Sequence, residues 1–368
     1  MNILVFALSL KRCNMSLLIK TIATYGLLLT INACKEAPAA ESKASTPVAS
    51  APAASAEAAA PTPAAGAPLT IAYSDWPGFV AWEVAIKKGW FKEAGVNVEF
   101  HWFEYVPSMD AYNAGKVDAV GVTNGDQLVI ASSGNKSQAI ILTDYSDGND
   151  MIVAKSGIKK LSDLKGKKIG VEVGFVDHLL LLYALKASNM AEKDVTLVNV
   201  PTDQTPQALK SGKVDAIGAW QPSSGTALRE VAGSAPIFTS ADVPGLIYDM
   251  IVVSPKSLAE HRADWLKVVG VWERVAKFVT DPANMDEAAT IMSGRVGLTP
   301  DAYKPLMKGT HILTLAAAQK AFVKDAGLMS VFGSSKVADD FNVKNAVYKV
   351  SQDANLYLDP SLTTAAVK

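Results

Sequence analysis

The chain has 368 residues, of which 49% are hydrophobic and 19% charged, and its net charge is −1. That length is enough for two domains with a sizeable core. The near-neutral balance supplies no basic footprint for nucleic acid and no polybasic patch for a membrane surface.

In chain order, residues 1–33 come first and read as outside the fold. Lys11, Arg12 and Lys20 precede an apolar run, Ile22–Ile31, which ends in small residues before Cys34. A positive region, a short apolar region and small residues at the end make a secretory signal. About ten apolar residues are too few to span a bilayer. Met15 is a second possible start, because Met15–Cys34 alone forms a complete signal. Ile31-Asn32-Ala33-Cys34 resembles the lipobox of bacterial lipoproteins, with Asn32 a mild departure. The resemblance implies cleavage before Cys34 and a lipid on its sulfur. The two cysteines are Cys13 and Cys34, so cleavage leaves one. That excludes an internal disulfide and any cysteine-based metal site or catalysis within the fold. Residues 35–68 are almost wholly Ala, Pro, Ser, Thr and Glu. Such a composition buries no core, so 34–68 reads as a lipidated cysteine and a disordered tether.

The folded body begins with a short strand, Leu69–Tyr73. Ser74 to Gly78 form a turn with helix-start chemistry, and Phe79–Lys88 reads as a helix ended by Gly89. Val96–Phe100 is a second strand. Two stretches echo each other about 97 residues apart: Gly115-Lys116-Val117-Asp118-Ala119 and Gly212-Lys213-Val214-Asp215-Ala216. That separation is too long for a solenoid repeat and suits one supersecondary unit in each of two lobes. Each copy reads as a helix closed by a left-handed glycine, then a short apolar strand, Val117–Val122 or Val214–Ala219. A second echo, Asp150–Ala154 and Asp249–Val253, reads as two strands at the lobe junction. Between them lie strands Lys168–Val173 and Val195–Val200 and helices Asp177–Ala187 and Thr205–Ser211. Further helices are predicted at Pro255–Val279, Asp286–Arg295, Pro300–Met307 and Leu315–Ala326.

The stretch Lys88-Gly89-Trp90-Phe91-Lys92-Glu93-Ala94-Gly95-Val96 resembles a signature of periplasmic solute-binding proteins. The family serves ABC importers of nitrate, sulfonates, taurine and thiamine precursors. The Gly115–Ala119 element and Leu161-Ser162-Asp163-Leu164-Lys165-Gly166-Lys167 match two further elements of it, and the likeness runs over roughly 69–300. The resemblance implies an α/β, type II periplasmic-binding-protein fold: two α/β lobes joined by a two-crossing hinge. Lobe one would be 69–153 and 247–368, and lobe two 154–246. It also implies a small-molecule solute, an ABC permease with its ATPase as partners, and a place at the periplasmic face of a bacterial membrane. No cofactor is implied.

In open α/β sheets ligands bind beyond the carboxyl ends of strands, which selects five loops. The first brings Asp75 and Trp76, as a carboxylate and aromatic wall or as a cap and packed indole. The second brings Asn124 and Asp126, where Asp126 either meets the solute or caps the following helix. The third brings Gly174, Phe175 and Asp177 to a helix N-terminus. In anion-binding relatives that loop carries hydroxyls; here Phe175 and Val176 replace them and an acid follows. Asp177 as helix cap is the alternative. The fourth brings Trp220 and Gln221, a stacking and hydrogen-bonding pair. The fifth brings Tyr248 and Asp249 beside the hinge. Acids and aromatics without arginine suit a cation or nitrogen-rich ring through cation–π contact and charged hydrogen bonds. An amine or N-heterocycle, such as a thiamine-precursor-like pyrimidine, is therefore favoured over a sulfonate, taurine or nitrate. Four His without paired spacing predict no metal site. Same-fold biosynthetic enzymes use a cysteine motif that this chain lacks, so no catalytic residue is assigned. A sensor subunit is a further alternative, in which the same capture feeds a receptor.

Overall fold

The computed structural model describes residues 66–367. The expected signal, Cys34 and nearly all of the tether lie outside the described residues.

Among the described residues, eleven strands form two sheets. The first contains β1 (Leu69–Tyr73), β2 (Val98–Trp102), β3 (Ala119–Thr123), β4 (Gln138–Ser146), β10 (Tyr248–Val253) and β11 (Thr310–Ile312), in the order β11-β4-β10-β3-β1-β2. The second contains β5 (Met151–Ala154), β6 (Lys168–Val171), β7 (Thr196–Asn199), β8 (Ala216–Ala219) and β9 (Ala235–Thr239), in the order β7-β6-β8-β5-β9. In each sheet three strands run parallel, β2-β1-β3 and β7-β6-β8, and an antiparallel strand flanks them. Residues 119–123 and 248–253 are buried throughout. Such continuous burial marks strands covered on both faces by helices.

The sequence echo has a structural cause. Asp118 Oδ2 accepts from the Thr70 backbone N–H and hydroxyl, both at 2.9 Å, and the Asp118 N–H donates to the Thr70 carbonyl at 3.0 Å. Asp215 Oδ2 accepts from the Lys168 N–H at 3.0 Å, and the Asp215 N–H donates to the Lys168 carbonyl at 2.7 Å. Each aspartate thus pins the start of the first parallel strand of its own sheet. Gly115 (φ 66°) and Gly212 (φ 83°) turn the chain out of the preceding helix, in a region that side chains with a Cβ rarely occupy.

The chain passes between the sheets at 147–150 and again at 240–247. The crossings are tied together: Ser146 Oγ lies 2.6 Å from Ser240 Oγ, and the Gly148 N–H donates to Ser240 Oγ at 2.7 Å. β5 pairs with β8 and β9 in the second sheet, so the first crossing falls ahead of residue 151 rather than at 153. A four-residue apolar strand fits either sheet by pattern, and pairing decides. Other differences follow local breaks. The predicted helix Pro255–Val279 divides at His261, and Phe79–Lys88 divides at Ala81. Leu315–Ala326 stops at Ala321. β4, β9, β11 and the helix Val331–Lys344 were not anticipated. That helix packs on Asn124–Ser132 and closes the first lobe.

The long helix Arg262–Thr280 buries Trp265, Val268, Val269, Trp272, Val275 and Val279 at helical spacing. Trp272 is fully buried, its ring centroid lies 4.8 Å from that of Trp82, and its indole donates to the Leu313 carbonyl at 3.0 Å. Trp272→Ala should cost about 3–5 kcal/mol, measured by urea unfolding. A loss below 1 kcal/mol would mean that this helix does not hold the first lobe together.

Candidate functional site

Because β1, β3, β6 and β8 all point their carboxyl ends at the gap between the sheets, the segments after Tyr73, Thr123, Val171 and Ala219 meet there. The amino end of β10 and the carboxyl end of β4 arrive at the same place, since both run antiparallel to their neighbours. Asp249 stands opposite Asp144 on β4 and opposite Thr123 on β3. Asp150, just before β5, completes the convergence. Two chambers result. The outer one has a volume of about 390 Å³, opens to solvent, and is lined by Asp75, Glu104, Glu172, Phe175, Asp203 and Trp220 among others. The inner one is far smaller, about 10 Å³, and is lined by Trp76, Phe79, Tyr105, Asp150, Trp220 and Asp249 among others. Among the described residues no Lys, Arg or His lines either chamber.

The indoles are oriented by acids. Trp76 Nε1 donates to Asp144 Oδ1 at 2.9 Å, and Trp220 Nε1 donates across the gap to Asp75 Oδ1 at 3.0 Å. The Tyr105 ring meets Trp220 edge-on at 5.2 Å, and its hydroxyl donates to Asp126 Oδ2 at 2.7 Å.

Asp126 is not the helix cap. Thr123 takes that role, its Oγ1 accepting from the Asp126 N–H at 3.1 Å. The Asp126 carboxylate is thereby left to face the other lobe, where the nearby Val176 backbone N–H helps hold its proton affinity down. Val176 is the first residue of the helix Val176–Ala187. Asp177 is not a cap either: it lies inside that helix, fully buried, with neither oxygen partnered. A carboxylate from one lobe therefore lies close to the helix N-terminus of the other.

Trp76, Phe175, Trp220, Asp75 and Asp249 line the chambers directly. Four expected contacts face elsewhere. Asn124 bonds Ser334 Oγ at 2.8 Å and the Tyr248 N–H at 3.1 Å. The Tyr248 hydroxyl donates to the Met329 carbonyl at 2.8 Å. Gln221 Oε1 accepts from the Gly225 N–H at 3.2 Å. Gly174 turns the chain at φ 94°, and its N–H donates to His178 Nδ1 at 3.2 Å. Sequence reasoning missed Glu104, Tyr105, Asp144, Asp150, Glu172 and Asp203 as site residues. The available signal was a carboxylate ending an apolar strand, as in Ile140-Ile141-Leu142-Thr143-Asp144.

These acids are costly to bury. Burial is the first cause at every one. It raises Asp75 and Glu172 to about 7 and Asp126 to about 6, the last opposed by hydrogen bonds from Tyr105 and Thr123. Asp144 and Asp150 are also pushed up, and Asp177 and Asp249 well up, where neighbouring carboxylates add to burial. Unpartnered oxygens remain on Asp144, Asp150, Glu172, Asp177 and Asp249. Among the described residues no three His, Cys, Asp or Glu are grouped as metal ligands.

Residues 76–284, more than half of the chain, match the family model described as NMT1/THI5 like. The chain belongs to the NMT1/THI5-like family. A putative binding protein of Brucella abortus is 28% identical over 61% of this chain and 70% of its own length. A putative aliphatic sulfonates-binding protein of Bacillus subtilis is 28% identical over 62% and 70%. The fold is that of the alkanesulfonate-binding protein SsuA from Xanthomonas axonopodis pv. citri bound to MOPS. The two share a TM-score of 0.65 at 17% identity, over 82% of this chain and 98% of that one. The architecture is thus the type II periplasmic-binding-protein fold.

Within this NMT1/THI5-like protein, carboxyls raised in the folded state make it bind more protons than the unfolded chain. Their stabilising contribution is complete below about pH 4 and is lost as pH rises through 4 to 7. The thermal midpoint of the solute-free protein should therefore fall between pH 5 and 8, with Asp249→Asn flattening the slope. A midpoint that rises over that range would contradict the buried-acid assignment.

Proposed function

We propose that this protein captures a small nitrogen-bearing cation, an amine or N-heterocycle, between its lobes and delivers it to an ABC permease and its ATPase. On this reading it works at the exported, periplasmic face of a bacterial membrane, held by a lipid on Cys34. The observation that carries the charge assignment is the set of buried, unpartnered carboxylate oxygens beside Trp76 and Trp220, with no basic side chain lining the chambers. A cation would supply the missing counter-charge, and the indoles would supply stacking and cation–π contact. Because Trp220 from one lobe bonds Asp75 from the other, ligand contact at either favours the closed state, which the permease would recognise. Capture of this kind needs no chemistry on the solute, and no catalytic role is assigned.

The name of the Bacillus subtilis relative favours a sulfonate instead. The helix Val176–Ala187 speaks against it. Asp126 lies close to its first N–H, and Asp177 follows, so the place that suits an anion already has two acids beside it.

Titration calorimetry against amines and pyrimidines, and against sulfonates, nitrate and bicarbonate, tests the reading. Binding is expected in the first set. Trp220→Ala should weaken it at least tenfold, about 1.4 kcal/mol. Binding confined to the second set would overturn the charge assignment, and an unchanged affinity in the variant would return Trp220 to a packing role.

A further inference from the structure

The inner chamber is separated from the outer by the Trp220–Asp75 hydrogen bond at 3.0 Å and by Tyr105, edge-on to Trp220. Its volume of about 10 Å³ falls far below the roughly 300–1,000 Å³ of a drug-sized pocket. Trp76, Phe79 and Trp220 form its apolar walls. Asp150 and Asp249 form its polar wall; they are 2% and 3% exposed, and each carries an Oδ2 with no partner. Asp144 stands beside Asp249 on the neighbouring strand, with Oδ1 held by Trp76 and with no donor at Oδ2 except a proton that the two carboxyls can share. A Cβ on Gly78 would fall 1.8 Å from that Oδ2, so glycine there keeps room for the carboxylate. Acceptors therefore come from β4, β10 and the crossing before β5, on more than one side of a small space.

We propose that the inner chamber is the seat of the solute and that it takes a compact, wholly enclosed cation with several N–H donors, not a ring system of thiamine-precursor size. This rests on the reading of the crevice as a cation site. Several buried acceptors without partners demand several donors, because each one left unmatched costs its desolvation. An ammonium supplies three, and an amidinium or guanidinium supplies them in the fork geometry that carboxylates accept in pairs. The outer chamber, with Asp75, Glu104, Glu172 and Asp203, is the negative vestibule that draws such an ion in. Burial pushes the inner carboxyls up, Asp150 to about 7, so a cation bound beside them should expel protons near neutral pH.

The test is titration calorimetry on the full chain at pH 7 in two buffers of different ionisation enthalpy. The probes are methylammonium, acetamidinium and guanidinium, with acetamide and urea as neutral isosteres. 4-Amino-5-hydroxymethyl-2-methylpyrimidine represents the larger heterocycles, and taurine and nitrate the anions. At least one compact cation should bind 100-fold or more tighter than its neutral isostere, with proton release. Asp150→Asn and Asp249→Asn should each weaken it at least tenfold, and Asp301→Asn, on the exposed surface, should not. Should a variant fail to fold, the comparison of cation with isostere on the native chain still decides. A pyrimidine that binds tighter than every compact cation would overturn the size inference and leave the cation reading standing. Binding of taurine or nitrate alone would overturn both. Compact cations no tighter than their isosteres would overturn the inference outright.

Discussion

Carboxylates buried in the gap between the two sheets, with no cation among the residues that line it, dominate this molecule. A charged group in such a place is stabilised by a counter-charge, by hydrogen bonds or by becoming neutral. The protein uses the last two in part. Indole and phenol donors satisfy one oxygen each of Asp75, Asp126 and Asp144, and burial raises the proton affinity of the rest. The oxygens left over define where a ligand gains most, since pairing them removes a penalty that the empty protein carries.

The fold supplies this arrangement through strand direction. Parallel strands in each sheet deliver their following loops to one edge. Antiparallel β10 and β4 bring Asp249 and Asp144 to the same edge from opposite chain directions. The two aspartates of the sequence echo, Asp118 and Asp215, hold the opposite ends of the parallel strands. One aspartate in each lobe thus fixes the sheet, and the acids at the other end are free to serve the gap.

The lobes also complete one another. Asp126 of the first lobe meets the helix N-terminus of the second, and Trp220 of the second bonds Asp75 of the first. An anion held at that helix N-terminus would compete with Asp126. The family resemblance shows how this scaffold can be used, whereas these two contacts are particular to this chain and underlie the proposed charge of its solute.

Much of this was legible in the chain. Apolar runs, left-handed glycines and the repeated Gly-Lys-Val-Asp-Ala element determined two α/β lobes, because strand period, helix capping and glycine conformation are local properties. Trp76, Trp220, Asp75 and Asp249, selected by the rule that sites follow strand ends, line the chambers. Tertiary structure alone decided which sheet takes β5, that Thr123 rather than Asp126 caps its helix, and that Asn124, Gln221 and Tyr248 face packing partners. It alone brought Asp144, Asp150 and Glu172 to the crevice, because their neighbours lie far away in the sequence. Burial and pairing across a gap depend on such distant neighbours, and no local pattern encodes them.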